Sequence, residues 1–365
     1  MDEARRLDKI KGCLIGGAMG DALGYSVEFM SYNEIKNIYG KNGITEYKLV
    51  GGKAIISDDT QMSLFTAVGL LFWKTRIDNH GVLYSPTKTI YLAYLDWLET
   101  QGFKGYVKEP ISWIKDINEL NHTRAPGNTC LSALTSGKMG TIEQRINNSK
   151  GCGGVMRVAP YGLIVKHANP VDAAMEAAYC AAITHGHDLA IIPSTLLAHI
   201  IQSIMNIESD GKELINIIID SLASVCEMFK DSKYINDFNE LITLAINLSQ
   251  QNNEPIDVVR KLGEGWVGDE AIAIAIYSVL KAKTFEEALF IAVNHDGDSD
   301  STGAIAGNIL GAWCGYEIIP NKFKENLELL DVMLEVAEDL SVGCPFNEYS
   351  GQKDFKWIKK YMPYY

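Results

Sequence analysis

The sequence lacks the pairings through which cysteine usually does structural or metal work. Its seven cysteines, at 13, 130, 152, 180, 226, 314 and 344, are scattered, odd in number and never in a C-x-x-C or Cys/His cluster. That excludes a disulfide framework and a zinc site of ordinary spacing, and leaves free, mostly buried thiols. A signal-type start is missing too: the charged residues 1–6 lead into no apolar region with a cleavage site. No uninterrupted apolar stretch approaches the roughly 20 residues of a spanning helix. Basic residues are in short supply, 33 Lys and Arg against 46 Asp and Glu, for a net charge of −13. Such a chain repels phosphate backbones and anionic lipid, so neither nucleic acid nor a membrane is an expected partner, and the expected location is cytoplasmic. A small anionic ligand stays open, because backbone N–H groups and metal ions can hold one. Linkers, low-complexity segments and repeats are absent as well, so residues 1–365 read as a single domain.

What is there is mostly helical period. With 47% hydrophobic and 22% charged residues the chain is globular rather than disordered. Leu64, Phe65, Val68, Leu71 and Phe72 share one face of a helix expected over 59–76. Further helices are expected at 89–100, 171–184, 189–205 (very apolar and central), 212–229, 235–250, 255–262, 269–283, 285–293, 301–315 and 321–340. Residues 43–50 are the one β-rich run and read as a hairpin arm. The pattern is all-α and compact, with short connections and one core. The tail, with Trp357, Tyr361, Tyr364 and Tyr365, is expected to pack as a C-terminal cap.

Two acidic clusters carry chemistry. Ser57-Asp58-Asp59-Thr60 stands before one helix and Asp296-Gly297-Asp298-Ser299-Asp300-Ser301-Thr302 before another. Carboxylates crowded into tight turns repel one another unless a cation lies between them. Each cluster adds hydroxyls, and carboxylate, hydroxyl and carbonyl together form the hard-oxygen set that suits Mg²⁺ or Mn²⁺. Helix N-capping explains the first cluster equally well. The alternation Asp298-x-Asp300-Ser301 is harder to read as a cap. An EF-hand is excluded: counting from Asp296, position 6 is Ser301 rather than Gly and position 12 is Gly307 rather than Glu.

The helix after the second cluster is rich in small residues, among them Gly303, Gly307 and Gly311, which lets another helix approach closely. Gly12, Gly16, Gly20 and Gly24 recur every four residues and stripe one helix face. A dinucleotide-type loop is rejected there, because no strand precedes it. Glu28, just past that helix, is placed to gate a site or to activate water.

Three further segments could meet an anion. Gly151-Cys152-Gly153-Gly154-Val155-Met156-Arg157 sets three glycines before a run that reads as helix, a pattern that suits phosphate, although glycine-rich turns are more often structural. Thr184-His185-Gly186-His187-Asp188 joins two helices, and a lone His there is usually a core or capping residue. Arg124-Ala125-Pro126-Gly127-Asn128-Thr129 is a turn that offers N–H groups or the Asn amide.

Taken in order from Gly12 to Gly315, these segments resemble the ADP-ribosylglycohydrolase family, which includes the dinitrogenase-reductase-activating glycohydrolase and the ADP-ribosylarginine hydrolases. The carriers are G-C-L-I-G-G-A-M-G-D-A-L-G with the following Glu28, S-D-D-T-Q-M, P-G-N-T, G-C-G-G-V-M-R-x-A-P, I-T-H-G-H and G-D-S-D-S-T-G-A-I-A-G. Each is moderate alone; six in register are specific.

The resemblance implies a compact all-α fold with a cleft for two Mg²⁺ or Mn²⁺ ions. By motif position it makes Ser57, Asp58, Asp59, Asp298, Asp300 and Ser301 the metal ligands, and Glu28 and Asp59 the catalytic carboxylates. Gly153, Gly154, Val155 and Met156 fall on the diphosphate loop and His185 at the ribose-phosphate part. Gly127, Asn128 and Thr129 fall on the adenosine-ribose side, with Trp266 beside the substrate. The implied activity removes ADP-ribose from an ADP-ribosylated protein by cleaving the N-glycosidic bond to arginine. Ser rather than Thr at 301 looks more like the arginine-specific branch. Hydrolysis of serine-linked or O-acetyl ADP-ribose, non-catalytic ADP-ribose binding, and an immunity protein against an ADP-ribosylating toxin stay open. Asp296 stands where many relatives have glycine, and reads as a helix cap or, less well, as a guanidinium binder.

Overall fold

Glycine every fourth residue strips one face of a helix of the side chains that normally hold two helices about 8–10 Å apart. The computed structural model, which describes residues 1–80, 85–164, 170–207, 213–347, 349–350 and 353–363, shows what that face meets. The N-terminal helix Glu3–Gly24 lies along the helix Ser299–Cys314, backbone against backbone. A Cβ on Gly20 would stand 1.9 Å from the Gly303 carbonyl oxygen, and one on Gly307 would stand 1.9 Å from that of Gly16. Gly12 faces Gly311 in the same way, and Gly24 faces the backbone of Ser299 and Asp300. Both glycine stripes expected from the sequence are thus two halves of one contact.

The described residues hold seventeen α-helices; their strands are one two-residue antiparallel pair, Leu49–Val50 with Lys53–Ala54. The expected hairpin arm is therefore short, and residues 43–48 form no strand. The apolar helix Asp188–Met205 packs against Ala159–Leu163, Pro170–Ala182, Leu214–Met228, Gly268–Lys281 and Ser299–Cys314. By length and composition it could cross a membrane, but 83% of its 18-residue apolar window is buried inside the protein, as expected of a central core helix.

Four expectations need correction. Connections are not all short: between Thr100 and Ala159 the described chain has only 3-10 turns and the helix Asn128–Thr135. The helix expected at 321–340 is broken into Asn321–Lys324 and Leu330–Val342, with Leu329 at φ 57°. The break lets Glu328 N–H bond to Ala54 O while the Glu328 carboxylate accepts from Ile56 N–H and pairs with Arg124. The main core is accompanied by a small satellite of Ala178, Ala181, Ala182 and Ile191. Of the seven thiols, all free, three are buried and four half-buried. Trp357 and Tyr361 are buried as the tail reading expects, whereas Tyr364, Tyr365 and Lys212 lie outside the described residues.

Candidate active site

An acidic helix start needs its first N–H groups capped before its own carboxylates can face outward. For the helix Asp58–His80 the cap comes from another helix: the buried Asp21 carboxylate accepts from Ser57 N–H (2.9 and 3.1 Å), Thr60 N–H (3.1 Å) and the Thr60 hydroxyl. Asp58 N–H donates to Arg124 O at 3.0 Å, and Gly127 N–H reaches Asp58 Oδ2 at 3.4 Å, which sets the Pro-Gly-Asn-Thr turn against the cluster. Asp59 Oδ2 is buried without a hydrogen-bond partner.

The second cluster is tied down from two sides. Asp298 caps its own helix through Ser301 N–H (3.3 Å), and its N–H donates to Glu264 O at 2.8 Å. That bond joins it to the Trp266 loop, which in turn bridges to the glycine cluster through Gly151 and Val267. Asp296 behaves differently from both of its readings. It accepts from Tyr32 N–H (2.8 Å) and pairs with Arg260 (2.8 Å), so it caps a different helix, Tyr32–Tyr39, and the guanidinium it binds is the chain's own.

These segments enclose one cavity of about 300 Å³. Glu28, Asp58, Asp59, Asp298, Asp300 and Ser301 line it together with Gly127, Asn128, Thr129, Gly153, Met156, His185 and Trp266. Ser57, Gly154 and Val155 do not line it: Ser57 is buried and its hydroxyl accepts from Asp59 N–H at 3.2 Å, and Val155 is a core residue. The run after the glycines is a 3-10 turn, Cys152–Gly154, rather than the start of a long helix. Val155 and Met156 donate their N–H groups to Cys152 O, which leaves Gly153 as the loop residue best placed at the wall. A larger groove of about 680 Å³ lies elsewhere, between Phe72, Leu92 and Tyr106, and gathers none of these residues.

Electrostatics single out the smaller cavity. Burial first, and the neighbouring carboxylates second, hold Asp58, Asp59 and Asp300 well above the usual carboxylate range. Burial pushes Asp298 up to about 6, and burial plus Asp300 pushes Glu28 up to about 9. Among the described residues no Lys or Arg lines the cavity to offset them. Among the described residues no three His, Cys, Asp or Glu side chains already form a closed ligand cluster. The carboxylates line a shared space instead of converging on a point. Their hard-oxygen chemistry, the orphaned Asp59 Oδ2 and the unpartnered Glu28 Oε2 fit divalent cations of the Mg²⁺ or Mn²⁺ type.

His185, which lines the cavity beside Gly153, is buried, and burial followed by the charge of Arg157 lowers its pKa to about 3, so the ring is neutral. At the mouth the exposed Phe29, at φ 66°, stacks on Trp266 with centroids 5.4 Å apart.

The sequence profile described as ADP-ribosylglycohydrolase matches residues 2–348. The chain belongs to the ADP-ribosylglycohydrolase family. Among its relatives, ADP-ribosylarginine hydrolase Tri1 of Pseudomonas putida is 24% identical over 93% of this chain and 79% of the relative. ADP-ribosyl-[dinitrogen reductase] glycohydrolase of Rhodospirillum rubrum is 25% identical over 88% and 91%. ADP-ribosylhydrolase ARH3 of Gallus gallus is 25% identical over 91% and 92%. A solved structure titled ADP-ribosylglycohydrolase-related protein complex shares the fold, with a TM-score of 0.63 at 21% identity over 93% of this chain and 98% of that one. As a member of the family the protein is a glycohydrolase of ADP-ribosylated substrates.

Several residues of the site escape sequence reasoning. Asp21 sits inside the G-D-A-L-G motif, beside the glycine stripe, with no partner that its local sequence names. Cys152, whose thiol donates to Asp298 Oδ2 at 2.8 Å, counts in the sequence only as one of seven scattered thiols. Arg157 reads as an ordinary cation, yet it is wholly buried.

Proposed function

We propose that the protein is a metal-dependent hydrolase that removes ADP-ribose from ADP-ribosylated protein by cleaving the N-glycosidic bond to an arginine guanidinium. The observation that carries this reading is the gathering of Glu28, Asp58, Asp59, Asp298 and Asp300 in one cavity whose described lining includes no Lys or Arg. Asp58, Asp59, Asp298, Asp300 and Ser301 would hold two Mg²⁺ or Mn²⁺ ions, with Ser57 joining them only by turning from its present bond. Bound there, the ions would offset the carboxylate charge and act as Lewis acids toward substrate oxygens.

The chain's own groups divide the proton work by environment. Burial, the largest cause of the Glu28 shift, persists when cations relieve the repulsion. Glu28 is therefore suited to keep a proton and give it to the departing nitrogen, while Asp59, with its free Oδ2, is suited to take one from water. Ionised carboxylates also favour the oxocarbenium-like state of glycoside cleavage. Two features support arginine as the leaving side: an acidic cavity attracts a cation, and the Phe29–Trp266 stack at its mouth offers aromatic faces to a planar guanidinium.

The test is ADP-ribose release from defined arginine-linked and serine-linked peptides with Mg²⁺ or Mn²⁺, and again in EDTA. Arginine-linked substrate should be cleaved faster, EDTA should abolish release, and Asp58→Ala or Asp300→Ala should remove most of it with helix content intact. Faster cleavage of the serine linkage overturns the arginine assignment, and release that survives EDTA overturns the metal dependence.

A further inference from the structure

Arg157 is fully buried, and among the described residues its hydrogen-bond partners include no carboxylate. Its guanidinium donates to Thr184 Oγ1 (2.7 Å) and Cys180 O (3.2 Å), touches the sulfur atoms of Cys130 and Met62, and lies over the Tyr94 ring at 4.6 Å. A buried cation whose described partners are all uncharged is costly unless its donors do other work. Guanidinium can only donate, so the Thr184 hydroxyl must accept from it. That leaves the one Thr184 proton to be given away.

Its neighbours are His185 Nδ1 at 2.8 Å and the Cys130 sulfur. An imidazole nitrogen lone pair is the far stronger acceptor, and the sulfur already receives an Arg157 N–H at 3.4 Å. The Thr184 proton therefore goes to Nδ1. A neutral ring with Nδ1 as acceptor carries its proton on Nε2. That edge of the ring faces the glycine turn: a Cβ on Gly153 would stand 3.0 Å from Cε1 and 3.3 Å from Nε2, and one on Gly151 would stand 3.4 Å from Nε2. The two glycines thus leave room for the N–H edge at the cavity wall.

We propose that Arg157 and Thr184 are positioning residues that lock His185 in its Nε2–H tautomer, so that it presents a neutral N–H donor to an anionic oxygen of the ligand, of the phosphate class. The opposite tautomer would aim a lone pair at that anion. The ligand class rests on the function proposed above; the tautomer does not.

The experiment reads the two separately. Long-range ¹H–¹⁵N NMR of the whole protein labelled in histidine, with His185 identified by its loss in His185→Asn, should show Nδ1 unprotonated and Nε2 protonated from pH 5 to 8. Thr184→Val should shift the ring toward a tautomer mixture and weaken ADP-ribose binding, measured by calorimetry, about tenfold, while Thr184→Ser restores both. A protonated Nδ1 in the unaltered protein overturns the proposal, as does a Thr184→Val variant with unchanged tautomer and affinity. If the unaltered protein shows the expected tautomer yet binds no ADP-ribose, the lock stands and the function proposed above, with the ligand class that depends on it, falls.

Discussion

Replacing Gly20 with alanine sets two physical effects against each other. Helix propensity favours the change by about 1 kcal/mol, since alanine is the best helix former and glycine among the worst. Packing opposes it. The new Cβ would lie 1.9 Å from the Gly303 carbonyl oxygen and 2.2 Å from its carbon, where ordinary contact begins at 3.4 Å. The two helices would have to part by about 1.5 Å, and neither backbone can yield as a side chain does. Overpacking of this kind costs about 1–3 kcal/mol, and a backbone clash belongs at the upper end. The net loss should be about 2 kcal/mol, read as a midpoint lowered by about 4 °C. Asp300 lies one turn before Gly303 on the same helix, so the shift also displaces the acidic cluster. A misplacement of about 1 Å costs roughly 100-fold in rate. The assays are thermal unfolding and ADP-ribose release on the same preparation. A variant as stable as the unaltered protein, with undiminished turnover, would refute the close helix contact as the element that positions the cluster.

Three further outcomes follow from the site. In EDTA, stability should fall as pH rises from about 4 to 7, because the buried carboxylates bind protons more tightly folded than unfolded. Asp298 alone, moved from 3.8 to about 6, is worth about 3 kcal/mol at 1.36 kcal/mol per pH unit. Added Mg²⁺ should remove most of the slope, and a flat profile in EDTA would contradict the unbalanced charge. Asp300→Asn should lose at least 100-fold in activity yet raise the unfolding temperature in EDTA, since it removes a charge that repels Asp58, Asp59 and Glu28; a lower midpoint in EDTA would deny the repulsion. Asp296→Ala should speed hydrogen exchange at the Tyr32 amide, which Asp296 accepts from, and leave metal-dependent activity within a few-fold; unchanged exchange would show that the contact is not a tether.

Much of the site was legible because its signals are local. Adjacent acids before a helix, glycines at a spacing of four and a glycine turn each declare themselves within a dozen residues. What could not be read are roles created by distant partners. Asp21 becomes a cap only because Ser57 and Thr60 come to it, 36 and 39 residues along the chain. Arg157 closes the glycine motif in sequence, but its enclosure by Thr184, Cys180 and Tyr94 comes only with the fold. The helix expected at 321–340 breaks because Glu328 is drawn to Ala54 and Ile56, a demand that the helical period of 321–340 does not contain. Asp296 was weighed as a cap and as a guanidinium binder; it is both, but for a helix and an arginine that sequence distance hides.

The glycine contact between Glu3–Gly24 and Ser299–Cys314 also dictates when the enzyme can first work. A helix with glycine every four residues has poor propensity of its own, and its match is synthesised last among the site's elements. Closing a loop on the order of 280 residues is entropically dearer than closing any local turn. The growing chain therefore holds Asp58, Asp59 and the glycine turn without Asp298 and Asp300 until synthesis has passed residue 300. Truncated or nascent forms should be inert, and catalytic competence should arrive in one step, as the first helix finds the last half of its groove.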